Sequence, residues 1–253
     1  MPHTHRKKSL PAHKRLQVTD SSGWTHVTSG GKSAHRVLRQ NQTSPHLVPA
    51  EPPSQLTLSD LQTQFQTYKH RWDESPLAQT VQTTLCAYHC DQIVCIGLGS
   101  PSGFLRGGWV DRRNVSMYQL AALVGVMDAM AKEGESDEQS PRPEVYAQDP
   151  VFNTLDEALL ASLGITVLQH PHAFDMVSSK ALLFCPGAER AHLEQVLPSQ
   201  PAILFGGPLE EVESDVVSRY VQSKRAVRLP RFEAQEHAFW NMRVYVPADE
   251  SVE

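Results

Sequence analysis

The sequence predicts an α/β protein, a Rossmann-like three-layer sandwich with a mostly parallel sheet and a disordered N-terminal tail. Three observations predict it. Short apolar runs alternate with amphipathic stretches of helical period, the pattern of strands joined by crossover helices. The first of those runs, Ile93-Val94-Cys95-Ile96, ends in Gly97-Leu98-Gly99-Ser100, a buried strand running into a glycine-rich turn. Residues 1–53 are rich in His, Ser, Thr, Lys, Arg and Pro and poor in large apolar side chains, so they bury too little surface to offset the entropy of ordering.

The elements follow in order from residue 54. Leu58, Leu61, Phe65, Tyr68 and Trp72 recur at three- and four-residue steps and mark one face of a helix. Ser75-Pro76 supplies an N-cap and a first-turn proline for a second helix carrying Leu77, Val81, Leu85 and Tyr88. After the Ile93 strand, a polar loop leads to a helix from about Ser116, with Leu120, Leu123, Val124, Met127 and Met130 on its buried face. Gly134 and the acidic stretch to Pro143 end it.

Val145-Tyr146-Ala147 reads as the next strand, ending at Gln148-Asp149-Pro150. Thr154 and Glu157 form a capping-box pattern for a helix with Leu155, Leu159, Leu160 and Leu163, closed by Gly164. Strands are expected at 165–168, 181–185 and 202–205, helices at 188–196 and 209–220, and one or two edge strands at 226–229 and 242–246.

A net charge of −5 gives no general reason to expect nucleic acid or an anionic membrane as partner. No apolar run approaches the roughly 20 residues that cross a bilayer. A cytoplasmic protein is expected, with the nucleus a second address if Arg6-Lys7-Lys8 and Lys14-Arg15 act as an import signal. Gly30-Gly31-Lys32-Ser33 imitates a phosphate loop but lacks its first glycine and its strand. The segment Val18–Val27, a Trp24 flanked by valines and including Gly23-Trp24-Thr25-His26-Val27, is read as a short docking segment, either for a partner or back onto the domain.

In an open sheet of this kind ligands bind beyond the carboxyl ends of the strands. The exits Gly97-Leu98-Gly99-Ser100, Gln148-Asp149-Pro150, Cys185-Pro186-Gly187 and Gly206-Gly207-Pro208 therefore frame one crevice. The candidate ligand-binding residues are Gly97, Leu98, Gly99, Ser100 and Asp149, with backbone amides for a phosphate or nucleoside and a carboxylate for ribose hydroxyls. A nucleotide-like ligand is one reading, and a glycine turn that only connects strand to helix is the other. Gly103 falls one place too late for the dinucleotide fingerprint, and Asp149 lies too far along the chain.

Arg106, Arg112 and Arg113 are candidate anion contacts. Cys86, His89 and Cys90 have the residue types of a metal site without a second ligand pair. His170 and His172 read as surface residues, and Cys185 is the better placed of the thiols for a nucleophile. No catalytic residue and no metal ligand is assigned.

The Ile93–Ser100 block, Gln119-Leu120-Ala121, Gln148-Asp149-Pro150-Val151-Phe152 and Leu163-Gly164 together resemble the successive blocks of the sensitivity-to-red-light-reduced (SRR-like) domain family. Gly23–Val27 and Phe239-Trp240-Asn241-Met242-Arg243-Val244-Tyr245-Val246 look similar to fungal members. The resemblance implies a regulatory role without an established reaction: family members are associated with light signalling and the circadian clock in plants, haem biosynthesis in animals and microtubule-related phenotypes in yeast. It implies a regulatory protein partner and leaves room for a small ligand. Gly187 and Gly207 depart from the family, which often carries Pro-His and Gly-Asn at those exits. The alternative is a methyltransferase-like or other nucleotide-dependent enzyme using Gly97–Ser100 and Asp149.

Overall fold

Within the stretch expected to be disordered, Leu16–Thr19 (β1) and Thr25–Thr28 (β2) pair as antiparallel strands, Leu16 opposite Thr28 and Thr19 opposite Thr25. Their Val and Thr residues favour extended backbone, and Asp20-Ser21-Ser22-Gly23 between them is turn-forming. A computed structural model describes these two strands and residues 49–104, 112–131 and 142–248. The remainder of the tail, and with it the basic cluster and the Gly30–Ser33 motif, lies outside the described residues.

The larger compact unit spans Pro49–Glu253. Ala50 is buried and its N–H donates to Val151 O at 2.8 Å, while Glu51 bridges Phe104. A small side chain and two backbone contacts are enough to seat this segment, which composition alone assigns to the tail.

Helix α1 (Leu58–Asp73) starts at Thr57, whose Oγ1 accepts the Asp60 N–H at 3.2 Å while Asp60 accepts from Thr57 in return. It buries Leu61, Phe65 and Trp72, the face that the periodicity marks. Helix α2 (Pro76–Leu85) is capped by the Ser75 hydroxyl and buries Leu77, Val81 and Leu85. Then come β3 (Gln92–Ile96), α3 (Arg112–Ala131), β4 (Glu144–Gln148), α4 (Thr154–Ser162), β5 (Thr166–Val167), α5 (His172–Asp175) and β6 (Ala181–Cys185). The chain continues through α6 (Arg190–Val196), β7 (Ile203–Gly206), α7 (Asp215–Gln222), β8 (Lys224–Arg228) and β9 (Arg243–Pro247).

These strands form one seven-stranded sheet in the order β5-β4-β3-β6-β7-β9-β8. The pairs from β5 to β7 are parallel, and β9 runs antiparallel to both β7 and β8. Successive residues of each strand face opposite layers. Ile93, Cys95, Leu182 and Phe184 pack with α1, α2, α3 and α4, whereas Val94, Ile96, Leu183 and Cys185 pack with α5, α6 and α7. The result is the predicted three-layer sandwich. Each buried large aliphatic contributes about 1.5–3 kcal/mol, so a sheet loaded on both faces is the main source of stability.

Several boundaries differ from expectation. The box at α4 is shifted by one residue. Asn153 is the N-cap, accepting the Leu155 and Asp156 N–H groups, and Asp156 rather than Glu157 answers it. Asp156 is fully buried and Glu157 is not, so tertiary burial selects the carboxylate. The helix expected at 209–220 is a 3-10 turn at Leu209–Glu211 followed by α7, because the backbone turns extended at Val212 (φ −92°, ψ 114°) and a new helix starts after Ser214. The C-terminal strand β9 inserts between β7 and β8 instead of lying at the edge, which buries Val244, Tyr245 and Val246 completely.

Helix α3 is buried from Ser116 to Leu123, since α1 covers the side away from the sheet. Trp72 of α1 presses on Gly125 of α3 and is held from behind by Phe239 and Phe232, with ring centroids at 5.2 and 6.0 Å. A Cβ at Gly125 would stand 2.4 Å from Trp72 Nε1. Gly125→Ala gains about 1 kcal/mol of helix propensity and forces Trp72 out of a packed slot. The expected net effect in urea unfolding is a loss of about 1–3 kcal/mol, and a net gain would contradict this packing.

Candidate functional site

The chain leaves β3 toward β4 on one side and leaves β6 toward β7 on the other, so the strand order reverses between β3 and β6. Their carboxyl ends are therefore where a ligand crevice opens. Gly97 and Gly99 adopt φ of +78° and +73°, which turns the chain sharply off β3. The Gly97 N–H donates to Gln148 O at 3.3 Å. A Cβ at Gly187 would lie 2.5 Å from Gly97 O, so the exits of β3 and β6 meet backbone to backbone. At Gly207, φ is +86° and a Cβ would reach 2.7 Å from Leu209 N. Gly187 and Gly207 thus sit where close approach excludes a side chain.

Asp149 and the glycine turn come together, and they bind each other. Asp149 Oδ2 accepts the Gly99 N–H at 2.7 Å, and Oδ1 accepts the Val151 N–H at 3.0 Å. Burial pushes the Asp149 carboxyl above the ordinary carboxylate range, with the two N–H groups and nearby His192 opposing and Asp156 adding. Ser100 is buried and donates to Asp156 Oδ2 at 2.6 Å while accepting the Gly103 N–H at 2.8 Å. Asp156 also accepts the Ser102 N–H at 2.8 Å. The Leu98 side chain lies in the core.

Of the five candidate residues, then, Leu98 and Ser100 turn their side chains inward, and the Gly99 amide is engaged.

The other candidates are distributed differently. His170 and His172 are exposed, and Gln148 Nε2 lies 3.1 Å from His170 Nδ1 while Gln148 Oε1 accepts the Ala173 N–H at 3.0 Å. This ties α5 to the end of β4. Cys185 is buried and its thiol is pushed up to about 12 by desolvation, so it is protonated at neutral pH and is no nucleophile. Cys95 is pushed up in the same way, and Cys90 to about 11.

Cys86 is exposed, and no metal-holding group of His, Cys, Asp or Glu exists among the described residues. Arg113 donates to Gln64 and lies 6.0 Å over the Phe104 ring, while Arg106 is outside the described residues. No helix among the described residues is long and apolar enough to cross a membrane.

Sequence reasoning misses the rim on the far side. Tyr245 Oη accepts the Leu209 N–H at 2.8 Å and donates to Glu210 Oε2 at 2.7 Å, and Arg243 pairs with Glu210 at 3.3 Å. Asn241, at φ +56°, donates to Glu211 Oε1 at 3.0 Å, leaving Trp240 64% exposed. Because Arg243 stands opposite Gly206, this turn borders the crevice. His192 is the other omission, its Nδ1 accepting the Glu189 N–H at 3.2 Å, which leaves Nε2 as the protonated nitrogen of the neutral ring. The signal for the rim was the aromatic block from Phe239 to Val246.

Fold and site define a Rossmann-like α/β domain whose strand exits are shaped by glycine turns and held by a half-buried carboxylate. The family model of the SRR1 domain matches residues 62–246, and the chain belongs to that family. No curated protein and no solved structure matches it.

The Asp149 clamp has a pH signature. Its folded pKa is raised above the unfolded value of about 3.9, so between the two values the folded state binds more protons. Stability from this group therefore rises as pH falls through the raised value and levels off below the unfolded one. Asp149→Asn turns an amide donor toward Gly99 or Val151 and should cost about 1–3 kcal/mol. Measured by urea unfolding, the wild-type advantage over the variant should widen as pH falls from neutrality to about pH 4, the ordinary carboxylate value; a constant or shrinking advantage over that whole range would contradict the assignment.

Proposed function

We propose that this SRR1-domain protein is a fungal-type, SRR-like regulatory protein that acts through a partner or a bound small ligand and performs no chemical step of its own. The observation that carries this reading is the commitment of Asp149, the carboxylate at the strand-order reversal, to two backbone N–H groups. A general acid or base must present its proton site to substrate, whereas this carboxylate holds a loop in shape. The thiols nearest the crevice are held protonated by burial, which supports the same conclusion.

The association of the family with light signalling, the clock, haem biosynthesis and microtubule-related phenotypes agrees with a regulatory role. The blocks at Gly23–Val27 and Phe239–Val246 support the fungal subclass. The cytoplasm is the proposed place of action, with the nucleus second through the basic cluster near Arg6.

One observation favours a nucleotide-dependent, methyltransferase-like enzyme instead. The strands β5-β4-β3-β6-β7 follow the winding order of dinucleotide-binding sheets, with Gly97–Ser100 after the first strand and Asp149 at the end of the second. Calorimetry and turnover assays with S-adenosylmethionine, NAD(P) and nucleotides separate the two. The regulatory reading expects no turnover with any of them. Turnover in the ordinary enzymatic range of roughly 1–1,000 per second, abolished in Asp149→Ala, would replace it with the enzymatic one.

A further inference from the structure

The sheet has two edges of unequal reach. At one end β5 has two residues, and at the other β8 has five, about 17 Å of strand at roughly 3.4 Å per residue. One side of β8 pairs with β9 from Lys224 opposite Pro247 to Arg228 opposite Arg243. No strand among the described residues pairs with its other side. Alternate N–H and C=O groups therefore point outward along an edge whose Arg225, Ala226 and Arg228 are exposed.

Lysine and arginine on an edge strand guard against self-association, and that alone would explain one such residue. Here Lys224, Arg225 and Arg228 fill three of five positions, with no acidic residue, in a chain of net charge −5. Arg71, Arg113 and Arg219 donate to uncharged oxygens, while Lys69, Lys180, Arg190, Arg231 and Arg243 each pair with a carboxylate.

Lys224 instead donates to Ala202 O at 2.9 Å and lies 5.0 Å over the Tyr220 ring, and Arg225 donates to Tyr88 Oη at 3.3 Å. None of the three cations of β8 faces a carboxylate among the described residues. Desolvation lowers the pKa of Lys224, as for a cation held without a counter-charge. By strand alternation Lys224 and Arg228 flank the edge on the α7 layer and Arg225 on the α2 layer.

We propose that the free edge of β8 receives an extended acidic segment of a partner protein as an added antiparallel or parallel strand, its carboxylates meeting Lys224 and Arg228 on one face and Arg225 on the other. Backbone hydrogen bonds supply the affinity and the alternating charges the specificity. An extended polypeptide is the occupant because only it matches both a row of backbone donors and acceptors and cations on both faces. A nucleic acid would meet the cations alone and would be repelled by the net charge of the chain. The inference rests on the regulatory reading and names the chemistry of its partner.

The test uses the full chain and a labelled nine-residue peptide of valine and threonine interrupted by two adjacent pairs of glutamates, which places carboxylates on both faces of the extended strand, against the same peptide with glutamine for glutamate. In fluorescence anisotropy the acidic peptide should bind at least about ten-fold more tightly than the neutral one, and should slow hydrogen exchange at residues 225–228. The double variant R225E/R228E should weaken that binding by at least about ten-fold with an unchanged melting temperature. If the reversal does not fold, R225Q/R228Q carries the same expectation at a smaller loss.

Equal affinity for the two peptides, no binding, insensitivity to these variants, or protection elsewhere overturns the proposal. So does displacement of the peptide by an equimolar single-stranded oligonucleotide, or self-association of the chain that the reversal abolishes. Peptide failure without enzymatic turnover refutes the β8 site alone, whereas turnover refutes the regulatory reading whatever the peptide does.

Discussion

Asp149 holds the loop after β3 by accepting the Gly99 N–H at 2.7 Å and the turn after its own strand by accepting the Val151 N–H at 3.0 Å. A second carboxylate continues the work in the first turn of α4, where buried Asp156 collects Ser100 Oγ and the Ser102 and Asn153 N–H groups. Two carboxylates thereby satisfy amides that leave the sheet with no ladder partner. A buried N–H without an acceptor costs about 1–3 kcal/mol, so the path from β3 to α3 depends on these acceptors being in place. The desolvation cost at Asp149 is the counterpart of that arrangement.

The glycines around this clamp serve closeness of approach. Gly97 and Gly187 bring the exits of β3 and β6 into backbone contact, and Gly207 leaves room for the Leu209 N–H to reach Tyr245. A histidine or asparagine side chain at either exit would have to displace backbone. The crevice offers shape and hydrogen-bonding backbone more than reactive groups, and the rim adds Trp240 and the Tyr245–Glu210–Arg243 network.

What the residues reveal by themselves is local. Ile93–Ile96 had to be buried on both faces, Ser75-Pro76 had to open a helix, and the alternation of apolar runs with amphipathic stretches required a largely parallel, two-sided sheet. The meeting of Asp149 with Gly99 was legible as a shared crevice, because strand exits of a parallel sheet lie side by side. That they would bond to each other was not, since side-chain reach across a sequence separation of 50 leaves no trace in spacing. The same limit hid the insertion of β9 between β7 and β8, which rests on complete burial of Tyr245, and the choice of Asp156 over Glu157 at the start of α4. Strands β1 and β2 escaped notice for the opposite reason, because their composition is polar even where their backbones pair.

The central claim is that Asp149 acts as a structural clamp on the strand-end loop. Amide hydrogen exchange followed by NMR at Gly99 reads it directly. The clamp predicts protection of the Gly99 N–H comparable to that of Cys95 in the middle of β3, falling by orders of magnitude in Asp149→Ala while Cys95 keeps its protection. A Gly99 amide that exchanges as fast as a solvated loop in the unmodified protein would contradict it.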